Sequence, residues 1–381
     1  MFAHEGRQAH KGGFGFIMLV KKNILIMHPT DNGACSFYRC RFMAMILQSQ
    51  LAGEVEVIVS PAEINDDYIL AHTAAIIVYR PYTEDHVTLI RNYGRKKNRL
   101  KYRIFADYDD VIWNVGGKSL IPEYNGSGID TDMATININR FAQYLDGVTV
   151  STEFLATLFR MEFRGICCTV LPNAVPRYLF GQQRKNRIND IIEKPVILYG
   201  GSSTHYKDGE FGDFPFFLAE YLCRSVNNGS IELHMFDVPW FLKNCENKII
   251  IHDKVSALEY PSVASSIHPD FYLAPLKDND FNRAKSNLKQ LEATAIGAVL
   301  VGSIFPLGPY NDAYVYSTFQ EKWSMDLIGG TIATLCGPFH YNCAMKHQYE
   351  YMDKNNLWMD SMPYIHRFLK TYFGNDIKAN F

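Results

Sequence analysis

Lys285, Lys289 and Glu292 stand four and three residues apart in the segment 282–303, NRAKSNLKQLEATAIGAVLVGS. Residues at these spacings share one face of a helix, so two ammonium groups and a carboxylate fall side by side. The segment reads as a helix over 286–296, a stop at Gly297 and an apolar strand over 298–302. The first turn of that helix, at 284–287, offers unpaired N–H groups and the positive end of its dipole. With the two lysines it makes a seat for an anionic diphosphate, and Glu292 can accept two hydrogen bonds from ribose hydroxyls. A solvated ladder of surface charges is the competing reading of the same spacing.

A second cluster, Tyr199-Gly200-Gly201-Ser202-Ser203-Thr204-His205-Tyr206-Lys207-Asp208, follows an apolar run directly. Its glycines let backbone approach a ligand, with Gly201 and Ser202 at the turn and His205 and Lys207 in reach of phosphate. A tight strand-to-helix turn is the alternative. Asp107-Tyr108-Asp109-Asp110 ends another apolar run, and Asp109 or Asp110 suits acceptor positioning or general-base catalysis. A Mg²⁺ cluster and a capping turn are the other readings. In HPTDNGACSFYR, residues 28–39, Gly33 permits backbone approach to a donor sugar, while Asp31, Tyr38 and Arg39 stand on the acceptor side of the first strand-to-helix transition. A plain turn with a surface arginine competes there. Finally, residues 91–103 hold Arg91, Arg95, Lys96, Lys97, Arg99, Lys101 and Arg103, no acidic residue, and interleaved Tyr93 and Tyr102. Such a run, with Arg95, Lys96 and Lys97 at its centre, suits a nucleic-acid backbone, or else a solvated helix end whose positive charge complements the dipole.

The segment 282–303 resembles the C-terminal donor domain of GT-B glycosyltransferases, whose pattern is a polar loop, K-S-x-L-K-x-L-E, small residues, a glycine and an apolar strand ending in serine. By this resemblance Glu292 binds the donor ribose, Lys285 and Lys289 the diphosphate, and Asn282 and Ser286 belong to the donor site. Ala284 stands where many retaining members carry a second glutamate, so the stereochemistry stays open. The G-G-S-x-T-H loop faces the donor in the resembling enzymes, and a D-x-D-D loop occurs in related sequences. The first loop, a glycine followed shortly by Tyr38-Arg39, is similar to that of glycosyltransferase-like proteins of bacteriophages. Val150-Ser151-Thr152 and Leu171-Pro172-Asn173-Ala174 match family strand ends, and the resemblance spans roughly residues 23–305. It implies a nucleotide sugar as co-substrate, with a UDP-sugar expected, and no bound cofactor or metal. The acceptor expected is hydroxymethylated cytosine in duplex phage DNA. A glycan or small-molecule acceptor, or a nucleotide-sugar-binding protein without turnover, is the alternative.

Groups so dispersed need a scaffold that brings strand ends together. Short apolar runs at 23–27, 54–60, 75–79, 102–107, 147–151 and 167–171 alternate with helical patterns at 37–51, 85–93 and 133–145. A second series follows at 195–199, 231–236, 248–252, 270–274 and 298–302, with helices at 214–227 and 286–296. Strand–helix alternation predicts an α/β fold of two Rossmann-like, doubly wound domains facing a cleft. The expected divisions are an arm at 1–22, an acceptor-side domain at 23–180, a donor domain at 190–340, and a helical segment at 341–381 packing across both.

Length agrees with two domains, since 381 residues exceed what one ordinary core holds. A net charge of -2 gives no global attraction to polyanions, so any DNA contact has to be local. The eight cysteines include no C-x-x-C pair, which suits a reducing cytoplasm, and the apolar part of residues 1–22 is too short to span a bilayer. No membrane partner is expected.

Overall fold

The computed structural model describes residues 22–29, 36–180, 191–201, 203–310 and 325–374. In the first half, strands β1 (Ile24–His28), β2 (Glu56–Val59), β3 (Thr73–Tyr79) and β4 (Arg103–Tyr108) precede a small antiparallel hairpin, β5 (Asn114–Val115) and β6 (Lys118–Ser119). Strands β7 (Gly147–Val150) and β8 (Cys168–Val170) follow. Six of these strands form one parallel sheet in the order β2-β1-β3-β4-β7-β8. β3, TAAIIVY, is buried along its whole length, as a central strand covered by helices on both faces must be.

The second half adds β9 (Val196–Tyr199), β10 (Glu232–Met235), β11 (Ile250–Ile251), β12 (Phe271–Ala274) and β13 (Val299–Gly302), paired in parallel as β11-β10-β9-β12-β13. Strand order reverses beside β1 in one sheet and beside β9 in the other. Crevices outside the carboxyl ends of strands at such points are where open α/β sheets hold ligands.

Local signals set the helix ends. Thr83 and His86 form a reciprocal cap on helix Glu84–Leu100, with His86 in the place usually taken by glutamate. Asp130 and Thr152 cap the helices Thr131–Ala142 and Glu153–Glu162. Gly297, at φ 77°, closes helix Leu288–Ile296 in the left-handed conformation that glycine adopts freely.

The C-terminal segment is two helices joined by a crossing. Helix Pro338–Lys354 lies on the second sheet, where Gln348 accepts from the Leu300 N–H and donates to the Ala298 carbonyl. The chain then bridges to the first half through backbone bonds between Val175 and both Leu357 and Met359. Helix Met362–Phe373 packs there, its Tyr364 hydroxyl donating to the Pro172 carbonyl at 2.8 Å. One apolar cluster runs continuously from β1 and β3 through Leu291 and Leu300 to Trp358 and Phe373, so the halves share a core.

The sequence pattern placed most strands within a residue or two but overlooked the helix Met325–Leu335, and the segment expected to be helical from 341 onward holds the two helices Pro338–Lys354 and Met362–Phe373. It also began the second of two helices too early and overlooked the first: Asp280–Ala284 is a short helix of its own, Lys285 is extended, and the longer helix is Leu288–Ile296. Lys285 therefore precedes the helix that carries Lys289, and the two do not share a helical face as their spacing predicted.

Candidate functional site

A cleft of about 340 Å³ opens between the two halves, walled by residues that follow the carboxyl ends of β3, β4, β9 and β12. From the second half come Gly200, His205, Lys285, Ser286, Lys289 and Glu292; Arg80, Asp109 and Asp110 face them from the first.

Glu292 is buried at the inner end. Its Oε1 accepts from the Tyr38 hydroxyl at 2.8 Å, and its Oε2 from the Tyr272 hydroxyl at 3.1 Å and Lys289 Nζ at 2.9 Å. Burial works against the Lys289 charge, but the Glu292 carboxylate outweighs it and holds the amine protonated well above the ordinary range. Tyr38 and Tyr272 are pushed the opposite way from ionisation by burial and by the same carboxylate, so both stay donors. Lys285 reaches the same space with its ammonium 4.8 Å from the centre of the Phe281 ring. Despite the break before Leu288, the cleft thus gathers Lys285, Lys289, Glu292 and Ser286, whose Oγ accepts from Asn173 of the first half at 2.7 Å.

His205 lines the cleft while its Nδ1 lies 2.8 Å from Oδ2 of the buried Asp213. Burial and the two lysines lower the affinity of His205 for a proton, against the pull of Asp213. The glycines before it serve packing. A Cβ on Gly200 would lie 2.2 Å from the Tyr272 hydroxyl, and one on Gly201 2.1 Å from that of Tyr199.

On the facing wall Arg80 follows β3 at φ 46° and reaches both aspartates: Nη2 lies 2.8 Å from Asp109 Oδ1 and 2.5 Å from Asp110 Oδ2. The Tyr79 hydroxyl also donates to Asp109 Oδ1 at 2.6 Å. Asp110 is the more open of the two carboxylates.

Several expected residues lie elsewhere. Arg39 is not at an acceptor: it is buried in a two-pronged ion pair with Asp107 and also donates to the Leu171 carbonyl and Asn173. Asp107 therefore points into the core, away from Asp109 and Asp110, and among the described residues no group of three His, Cys, Asp or Glu is placed to hold a metal. Tyr38 turns inward to Glu292 rather than to an acceptor. Asn282 is fully buried behind the cleft, donating to Asp213 and to the Lys277 carbonyl. Lys207 is exposed, 3.9 Å from Glu210, outside the cleft wall.

Arg95, Lys96 and Lys97 sit on helix Glu84–Leu100 and do not line the cleft. Lys97 pairs with Asp146 at 2.7 Å and Lys96 donates to Asn65, while Tyr93 and Tyr102 are buried and cannot stack on bases. Asp31, Gly33 and Ser202 lie outside the described residues.

Sequence reasoning missed Arg80, Tyr124 and Asp213. Arg80 carried a usable signal, an arginine directly after a wholly apolar strand; Asp213 carried another, a lone carboxylate in the aromatic run FGDFPFF.

No protein-family model matches the chain, and none of the curated proteins does. Solved structures resemble it along nearly its whole length. A glycosyltransferase from Rickettsia africae ESF-5 superposes with a TM-score of 0.56 at 13% identity, over 94% of this chain and 99% of that one. An α,α-trehalose 6-phosphate synthase from Burkholderia multivorans gives 0.54 at 9%, over 92% and 99%. A UDP-forming α,α-trehalose-phosphate synthase from Burkholderia xenovorans gives 0.53 at 9%, over 94% and 100%. The likeness is one of fold: two Rossmann-like domains about a cleft, the GT-B arrangement.

Proposed function

We propose that the chain is a nucleotide-sugar-dependent glycosyltransferase. The observation that carries this is the inner end of the cleft, where buried Glu292 sits beside Lys289 with Lys285 nearby. A carboxylate there suits ribose hydroxyls, and two ammonium groups suit the diphosphate that becomes the leaving group. Glycosyltransferases and a UDP-forming synthase among the similar folds support a UDP-sugar as donor. Asp110, half-buried on the facing wall, is the group to receive the acceptor's proton, with Asp109 and Arg80 fixing its position.

For the acceptor, hydroxymethylcytosine in DNA draws on the basic run 91–103, whose Lys96 and Lys97 are engaged locally and lie off the cleft. The placement of that run away from the cleft favours a glycan or small-molecule acceptor instead.

The test is a thermal-shift screen of UDP-, GDP- and ADP-sugars followed by transfer assays on sugars and on hydroxymethylcytosine DNA. A donor that raises the melting temperature and yields product supports the reading, since a ligand bound to the folded state stabilises it by mass action. No shift with any nucleotide sugar would sink it. Transfer is expected to survive EDTA, because lysines rather than a metal meet the diphosphate.

A further inference from the structure

We propose that His205, held by Asp213, is the group that meets the leaving diphosphate. With a nucleoside diphosphate seated at Lys285 and Lys289, it takes up a proton and donates its Nε2–H to the oxygen released from the sugar. The inference rests on the donor site described above and adds a residue pair to it.

The loop is built to bring the two side chains together. Gly212 turns the chain at φ 59°, where a Cβ would meet the His205 carbonyl at 2.2 Å, and the Asp213 N–H then donates to that carbonyl at 2.8 Å. Asp213 Oδ2 takes the Nδ1 side of the ring. Its Oδ1 accepts three further bonds, from the Tyr124 hydroxyl at 2.6 Å, Asn282 Nδ2 at 2.7 Å and the Lys277 N–H at 3.0 Å. A buried carboxylate met by this many donors stays ionised; burial opposes its charge, yet His205, Lys285 and Tyr124 hold it below the usual carboxylate range. Such a partner fixes Nδ1 as the protonated nitrogen and leaves Nε2 as the one available to the cleft that His205 lines.

In the empty cleft the ring is neutral near pH 7, because burial and the ammonium groups of Lys285 and Lys289 disfavour a third positive charge. The other charged groups around the cleft are matched: Glu292 with Lys289, and Asp109 and Asp110 with Arg80. The Tyr310 phenol stays neutral through burial. A diphosphate reverses the balance by bringing negative charge onto the lysines, while Asp213 already stands ready to stabilise the imidazolium. In the transfer step the bond from the anomeric carbon to the phosphate oxygen breaks and its electron pair stays on that oxygen, where the Nε2–H meets it without leaving nitrogen. The acceptor oxygen forms the new bond to carbon, and its proton passes to Asp110.

The experiment titrates the full chain with UDP, GDP and ADP by calorimetry at pH 7 in buffers of differing ionisation enthalpy. Wild type should take up close to one proton (~1) per diphosphate bound. His205→Gln, which keeps an amide donor but cannot titrate, should bind within about tenfold of wild type with no uptake, and its transfer rate should lose the fall that wild type displays as pH rises. Asp213→Asn should move that fall to lower pH, because the imidazolium has lost its carboxylate. Binding without proton uptake in wild type, or equal uptake in His205→Gln, overturns the role of His205 and leaves the donor site standing. Absence of any diphosphate binding overturns the donor site, and this inference with it. Should Asp213→Asn fail to fold, His205→Gln decides alone.

Discussion

At the end of β4, Arg39 grips Asp107 beneath helix Met362–Phe373, while Arg80 grips Asp109 and Asp110 at the cleft wall. The residue types are the same and the aspartates nearly adjacent, yet the first pair has side chains 4 and 2% exposed and the Arg80–Asp110 pair 16 and 24%. The buried pair is completed by Thr149, which donates to Asp107 and contacts the Tyr372 hydroxyl at 2.8 Å, so it fastens the C-terminal helix to the first sheet. The cleft pair leaves carboxylate surface facing a space in which a substrate can sit. Charge pairing alone does not tell a structural arginine from a functional one; which side of the strand end it faces does.

The comparison breaks most sharply at Asp110. Asp110→Asn should lower kcat by about 10²–10⁴-fold, the range general-base catalysis contributes, with donor affinity and melting temperature unchanged. A variant with wild-type kcat would remove Asp110 from the chemistry and leave the cleft pair as structural as the buried one. Asp107→Ala should do the reverse. Stranding the Arg39 guanidinium in the core should cost about 3–5 kcal/mol of stability in urea unfolding. A stable Asp107→Ala protein lacking transfer activity would bring Asp107 back to the site.

The wall from the second half sharpens the contrast. Glu292→Ala should weaken binding of the donor by about 1.5–3 kcal/mol, as expected for a lost hydrogen bond to a charged group, read by calorimetry with the nucleotide sugar. Because Glu292 also holds Tyr38 and Tyr272, the same variant should melt lower than wild type. Unchanged donor affinity with a lowered melting temperature would make Glu292 a tie between the halves and nothing more.

How far the sequence carried these distinctions depends on where the information lies. The wall that carries Lys289 and Glu292 was legible because the two are neighbours on one helix, where a spacing of three residues lets them meet at 2.9 Å. The parallel sheets were legible because short, continuous apolar runs rich in β-branched residues, such as 75–79, alternate with helical patterns, as strands buried on both faces do. On the facing wall Asp109 and Asp110 were legible at a strand end, but Arg80 was not, because it meets them across 29 and 30 residues of chain. Nor were the Arg39–Asp107 pair, 68 residues apart within the first half, and the Tyr38–Glu292 contact, 254 residues apart, which only the packed halves bring together. Asn282 looked like a ligand contact because it stands inside the motif, yet it is fully buried and its amide nitrogen donates to Asp213 and to the Lys277 carbonyl. A motif marks which segment matters; burial decides which of its side chains can touch a substrate.

The smallest expected effect lies farthest from the cleft, on the outer helix Glu84–Leu100. There Lys97 and Asp146 form a partly exposed pair, 23 and 28% exposed, worth about 0.2–1 kcal/mol by the usual measure of such contacts. Lys96 donates to Asn65, and Arg95 is exposed. Replacing Arg95, Lys96 and Lys97 together by glutamine should therefore shift the melting temperature slightly and leave transfer to a small acceptor at the wild-type rate. If DNA were the acceptor, each lost phosphate contact would lower the salt slope of binding by about one, and the triple variant would lose transfer to hydroxymethylcytosine DNA at moderate salt while keeping donor affinity. Equal transfer by wild type and variant on small acceptors, with no salt-dependent retention of either on DNA, would confine function to the cleft. A steep, variant-sensitive loss on DNA alone would instead give this helix a binding role that its internal pairing argues against.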